Sequence, residues 1–326
     1  GALLSTLLIV SMIAPAISVI SLLSVGTVSA PPAYENIVRG MDNGAYTQDT
    51  DAWPPWVVYN VGDQPPIMAA VTVGSGKVVI AGISSSCRDG RWNSGYMNEN
   101  YRGNLSILLD KAFQWMKPGA TKVLWYGETG IDYNVYNDAA RCSELVENLE
   151  NMGYNVVDTI NGTFTSIYSA LTSQNPDILV IPQMELGAAS TGGDPTLLPN
   201  NEIENIYNFV AVQGKGLLIM EGNDTDGYNY ERVQNKVLKR LDTGIYFQSD
   251  VVRDEGNYWS PGSGNFWQIY ADVEDVDFGT TYRAATGKTI IGLYNCCSLA
   301  PKTDYEIAIG ILPSYREGFP GGALVY

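Results

Sequence analysis

Short, continuously apolar runs alternate with amphipathic stretches through the middle of the chain. Residues 122–126 (KVLWY), 154–159, 177–182 (DILVIP) and 216–220 (GLLIM) have the length and composition of buried strands. Between and after them, residues 139–152, 164–171, 202–212 and 231–241 place apolar side chains every three or four positions, as helices do. Gly153 stands where a helix C-cap belongs, and Asn200-Asn201 where a helix begins. Strands that are apolar on both faces and separated by helices predict a parallel sheet covered on both sides.

The flanks follow a different pattern. Residues 67–73 (IMAAVTV) and 77–83 (KVVIAGI) alternate as strands around Gly74-Ser75-Gly76, which predicts a hairpin, and 104–115 (NLSILLDKAFQW) has helical spacing. Residues 42–56 show neither period and are punctuated by Pro54-Pro55. The tail from Gly244 is β-like and loop-like, and 288–292, 305–312 and 323–326 echo the earlier hairpin. The expected organisation is a hydrophobic helix over 1–30, a β-rich segment with hairpin and helix over 31–117, an α/β domain over 118–243 and a β-rich segment over 244–326.

The first 30 residues contain no charge, and the first charged residue is Glu35. As a helix, residues 2–25 would be roughly 36 Å long, enough to cross a bilayer's hydrocarbon core. Three readings are open: a secretory signal, a membrane anchor, and a helix buried in the core of a filament. In hydropathy the stretch resembles the N-terminal helix of archaeal type IV pilins. That resemblance implies copies of the chain packed on one another, with Pro15 kinking the helix.

Composition narrows the chemistry. The 326 residues carry 19 Lys plus Arg against 35 Asp plus Glu, a net charge of −16, which excludes nucleic acid as an expected partner. Histidine is absent from the whole chain. Ser-His-Asp triads, Cys-His pairs and His-ligated metals are therefore excluded, leaving carboxylates, Lys, Tyr or a carboxylate-bound ion. The expectation is a structural or binding protein of the cell surface and not an enzyme, with copies of itself as partner and the membrane as a second candidate partner.

The stretch 122–255 resembles the class I glutamine amidotransferase-like domain in its non-catalytic, GIFT-type form found in secreted archaeal proteins. The matching residues are KVLWY, ENLENMGYNV, PDILVIPQ, NEIENIYNFVAVQGKGLLIMEGND and SDVVRDEGNYW. The resemblance implies a flavodoxin/amidotransferase-like α/β fold, a parallel sheet with helices on both faces. Active members carry a Cys nucleophile on a sharp turn after a central strand; here that turn reads Glu221-Gly222-Asn223. By that pattern the chemistry is lost and the fold alone is implied.

The remaining motifs supply candidates. The even count of cysteines (Cys87, Cys142, Cys296, Cys297), in a chain expected at the cell surface, predicts two structural disulfides, with three pairings open. Sequons place candidate N-glycans at Asn104, Asn161 and Asn223, each expected at a loop or helix start. The run from Asn223 to Glu231 spaces oxygen ligands at alternate positions, making Asp224 and Asp226 candidate calcium ligands; no other cofactor is expected. Because open α/β sheets bind ligands at the carboxyl ends of their strands, Glu185, Asn223 and Asp224 form the candidate ligand site. The leading expectation is a pilus-like extracellular filament or array subunit with an adhesive role; the alternative is an anchored or secreted module that binds a carbohydrate or other small ligand.

Overall fold

The chain divides into two compact units, Gly1–Pro31 and Pro32–Tyr326. A computed structural model describes residues 33–41, 45–49, 64–87, 99–126, 142–158, 166–183, 198–222, 231–248, 250–254 and 268–301, all in the second unit. The hydrophobic segment 1–30 lies outside the described residues. Among those described, no helix is long and apolar enough to cross a membrane.

The protein is a mixed α/β structure. Its strands are β1 (Tyr34–Gly40), β2 (Ala45–Asp49), β3 (Pro66–Val73), β4 (Gly76–Ala81), β5 (Lys122–Trp125), β6 (Asn155–Asp158), β7 (Ile178–Ile181) and β8 (Gly216–Met220), followed by β9 (Tyr246–Phe247), β10 (Asp250–Asp254), β11 (Gln268–Val273), β12 (Ile290–Tyr294) and β13 (Leu299–Ala300). The described helices are α1 (Glu99–Met116), α2 (Ser143–Asn151), α3 (Ile167–Gln174), α4 (Asn200–Tyr207), α5 (Glu231–Arg240) and α6 (Asp277–Thr286). Nine strands form one sheet in the order β12-β11-β1-β3-β4-β8-β7-β5-β6. Neighbours from β4 to β6 pair in parallel, and those from β12 to β4 antiparallel. Two small ladders, β10-β2 and β13-β9, complete the strands.

Alternation along the strands builds two cores, because successive side chains point to opposite faces. Val79, Val123, Trp125, Val180 and Leu218 pack with α1, α2 and α6; Ile80, Leu124, Leu179 and Leu217 pack with α3, α4 and α5. Local chemistry fixes the helix ends. Ser166 caps α3, accepting from the Ser169 N–H at 3.0 Å while its own N–H donates to the Ser169 hydroxyl at 3.2 Å. Asn175 ends α3 in the left-handed region, φ 43°. Beneath α1, the Tyr154 hydroxyl donates to Asp110 and accepts from the Gln114 amide, each at 2.8 Å.

Several expectations are corrected here. The amphipathic run 202–212 is not one α-helix: α4 stops at Tyr207 and Asn208–Val212 forms a π-turn. That wider turn frees the Ala211 carbonyl to accept from Ser75 N–H at 2.8 Å, tying the turn to the β3–β4 hairpin. Within the stretch 42–56 that shows no period, β2 pairs with β10. In the tail, expected to be β-like and loop-like, α6 covers the sheet through Phe278 and Tyr282.

Cys87, Cys142, Cys296 and Cys297, the residues expected to form two disulfides, are all buried. Cys296 joins the core that holds Cys87 and Cys142, while its extended neighbour Cys297 joins the opposite one, so the adjacent pair points apart. Burial pushes the Cys296 thiol up to about 12. Asn104 lies inside α1 and is half-buried, not at a loop or helix start, and the Ser106 hydroxyl of its sequon is fully buried. Residues 305–312 and 323–326, read as a second hairpin, lie outside the described residues.

Candidate functional site

The parallel strands end in polar residues that lie inside the protein. After β4 the chain turns through Gly82-Ile83 into a 3-10 turn, Ser84–Cys87; after β7 comes Pro182-Gln183; after β8, Glu221-Gly222. Ser84, Ser85, Ser86, Gln183 and Glu221 are buried, as is Gln234 of α5 behind them. Polar groups are placed in an interior only where they are bonded, so this cluster has a structural cost to explain.

Part of the cluster is stitched internally. Glu221 N–H donates to the Ala81 carbonyl at 3.0 Å and Ser84 N–H to the Glu221 carbonyl at 2.9 Å, continuing the β4–β8 pairing past the strand ends. Gln183 N–H donates to the Ser84 hydroxyl at 3.1 Å, and Gly222 N–H to Glu221 Oε1 at 3.1 Å. Gln234 Nε2 donates to the Pro182 carbonyl at 3.4 Å. The Ser86 hydroxyl donates to the Tyr294 carbonyl at 3.0 Å and accepts from Tyr294 N–H at 2.8 Å, clamping the turn to β12.

Gln183 Oε1 and Gln234 Oε1 are buried and accept from no described residue. A buried acceptor without a donor costs about 1–3 kcal/mol, so both favour a donor brought by a ligand or by solvent. Packing around Gln183 is close: a Cβ on Gly222 would stand 2.6 Å from Gln183 Oε1 and 2.6 Å from Ser85 Oγ. A side chain at 222 would therefore displace the Gln183 amide and the Ser85 hydroxyl.

The chemistry available is one carboxylate, amide carbonyls and serine hydroxyls. Cys87, the thiol nearest in sequence, is fully buried, with Sγ 3.8 Å from the Ile83 carbonyl and 4.0 Å from Met220 Sδ. Among the described residues no group of His, Cys, Asp or Glu could hold a metal ion. The arrangement suits binding by hydrogen bonds.

Of the residues proposed from sequence, Glu185, Asn223, Asp224, Asp226 and Asn161 lie outside the described residues. The described chain stops at Gln183 and Gly222, immediately before Glu185 and Asn223 in sequence. The connections beginning at 127, 184 and 223 therefore leave the sheet from the adjoining ends of β5, β7 and β8, where open α/β sheets bind ligands. Sequence reasoning missed Ser84, Ser85, Gln183, Glu221 and Gln234. Their signal was positional: polar residues directly after the apolar strands in VIPQ and LIMEG, and shortly after in IAGISSS.

No protein-family model and no curated protein matches the chain. One solved structure that does match is that of IMPa from Pseudomonas aeruginosa in complex with an O-glycopeptide. The match has 14% identity and a TM-score of 0.32, covering 64% of this chain and 20% of that chain. A likeness at that level fixes neither fold nor chemistry.

Proposed function

We propose that this chain is a structural subunit of an extracellular, pilus-like filament or surface array, held to copies of itself by the apolar segment 1–30, with adhesion as its use. The observation that carries the proposal is the division of the chain. A unit without a single charged residue, Gly1–Pro31, precedes a body whose described core is assembled from its own strands and helices. Packing such helices together removes on the order of 1,000–2,000 Å2 of apolar area from water each, tens of kcal/mol at ~25 cal/mol per Å2 before association entropy is subtracted. The body is then a non-catalytic flavodoxin/amidotransferase-like domain of a cell-surface protein. Its parallel order β6-β5-β7-β8 with helices on both faces supports that reading, as do Glu221-Gly222 at the nucleophile turn and a chain without histidine. Electron microscopy of the full chain after detergent removal tests it: filaments support the proposal, and Leu8→Asp or Ile9→Asp should abolish them while the body still melts normally.

A second reading, a small-ligand module at the carboxyl edge, is favoured by the buried acceptors Gln183 Oε1 and Gln234 Oε1. A ligand at a hundred times its Kd would stabilise the body by about 2.7 kcal/mol, readable as a melting shift that Gln183→Leu should remove. A screen of neutral polar ligands that moves neither protein's melting point refutes this reading.

A further inference from the structure

A groove of about 480 Å3 lies between α3 and the α4–π-turn segment. It runs along α3 from Tyr168 to Asn175 and along the C-terminal part of α4 into the π-turn, and shares no lining residue with the polar cluster. We propose that this groove is a binding site for a neutral carbohydrate, one or two sugar rings long. The inference does not rest on the filament reading.

Three features of the groove point to a sugar. Its lining contains no Asp, Glu, Lys or Arg, although the chain carries a net charge of −16. Tyr168, 58% exposed, and Val212, 64% exposed, both line it, offering an aromatic face and an apolar wall for the C–H side of a pyranose. Four amide side chains, Asn175, Asn205, Asn208 and Gln213, line the rest, and none is bonded to a described residue. Each amide offers donors and an acceptor together, the complement of adjacent hydroxyls on a sugar ring.

Hydrogen bonds and backbone geometry hold these groups in place. Asn175 is fixed in the left-handed region at the α3 C-cap, with its N–H donating to the Leu171 carbonyl at 2.9 Å. Tyr168 N–H donates to Glu202 Oε2 at 3.1 Å, locking the start of α3 to α4. The π-turn presents Asn208, Val212 and Gln213 outward while Phe209 and Val210 stay in the core; such turns recur at functional sites because they re-aim side chains a regular helix would bury. Sites that take small ligands have cavities of roughly this size, about 300–1,000 Å3. A protein partner fits less well. The exposed large apolar residues here are Tyr168 and Val212, far short of the ~800 Å2 per partner of a standard interface.

Saturation-transfer NMR on the full chain tests the proposal, in lauryldimethylamine oxide because that detergent carries no sugar. The probes are maltotriose, mannotriose and chitotriose, with trigalacturonate as the charged counter-probe. At least one neutral trisaccharide should receive transfer. Tyr168→Ala should weaken that binding about tenfold, the loss of one stacking contact, Asn208→Ala should weaken it less, and Tyr168→Phe should retain it. Both sites are exposed, so the variants should melt like the parent, which separates lost binding from lost fold. The proposal is overturned if no neutral probe receives transfer, if trigalacturonate binds in preference, or if Tyr168→Ala binds as well as the parent. Loss of self-association in Tyr168→Ala by sedimentation, with no sugar bound by the parent, would assign the groove to a second copy of the chain instead.

Discussion

Alanine at Gly82 should loosen the joint between the C-terminal residues and the central hairpin. Gly82 follows β4, its N–H donating to the Ile67 carbonyl at 2.8 Å and its carbonyl accepting from Cys297 N–H at 3.1 Å. A Cβ there would lie 2.1 Å from the Cys297 carbonyl oxygen and 2.9 Å from its sulfur. The obstacle is backbone, so it cannot rotate aside. Nor can the strap simply retreat: Cys296 carbonyl accepts from Val252 N–H at 2.8 Å, and Asp250 accepts from the Ser298 N–H and hydroxyl at 2.7 and 2.6 Å. Overpacking costs about 1–3 kcal/mol, and losing the Gly82–Cys297 hydrogen bond about 1 more. The sum, about 2–4 kcal/mol, corresponds to a fall in Tm of about 4–8 °C for a domain of this size. Differential scanning calorimetry of the full chain reads it. Gly119→Ala is the control, because nothing lies within 4 Å of its Cβ and only the left-handed backbone, φ +76°, is strained, worth about 1 kcal/mol. Equal Tm values for Gly82→Ala and the parent would refute the reasoning, since the strap would then not be seated on β4.

Three further outcomes are expected. Burial raises the Asp177 carboxyl, but the Thr121 and Lys122 N–H groups, both donating at 3.1 Å, and the Lys215 ammonium outweigh it and hold the group below its ordinary value. A depressed carboxyl contributes stability above its unfolded pKa and loses it as pH falls through the folded one. Asp177→Asn should therefore cost about 1–2 kcal/mol at pH 7, a gap that closes below about pH 4 in urea titrations; a pH-independent gap would contradict the assignment. Cys296, buried and with its thiol raised to about 12, should resist iodoacetamide at pH 8 while folded and react on unfolding, as peptide mass mapping will report; rapid native labelling, or no labelling after unfolding without reductant, would count against it. Bodies of net charge −16 repel on assembly, so filament yield by sedimentation should rise from 10 mM to 0.5 M salt as the Debye length falls from about 30 Å to about 4 Å; a yield that falls would place the attraction in ion pairs.

The parts of the fold legible in the sequence are those whose signal is local. Strands β4, β5, β7 and β8 are buried on both faces, so each is a short apolar run between polar or glycine residues, as in GLLIM. What escaped depends on distant partners. AYTQD of β2 has little apolar content and becomes a strand only because residues 250–254 pair with it. β1 is placed by Val38 lying opposite Val273, a pairing across more than two hundred residues that no period encodes. DFGTTYRAAT holds two buried aromatics one turn apart amid glycine and threonine, too sparse a stripe to read as a helix. The candidate site was half legible: the carboxyl edge follows from the strand–helix alternation, whereas Gln234 reaches the Pro182 carbonyl beside Gln183 only because β7 and α5 are brought together in space.

Imaging the full chain by electron microscopy after detergent removal, with Leu8→Asp in parallel, tests the filament proposal most directly. Ordered filaments from the parent chain, and dispersed particles of unchanged melting temperature from Leu8→Asp, are the predicted result. Dispersed particles from both chains, or filaments from both, would contradict assembly through the apolar segment.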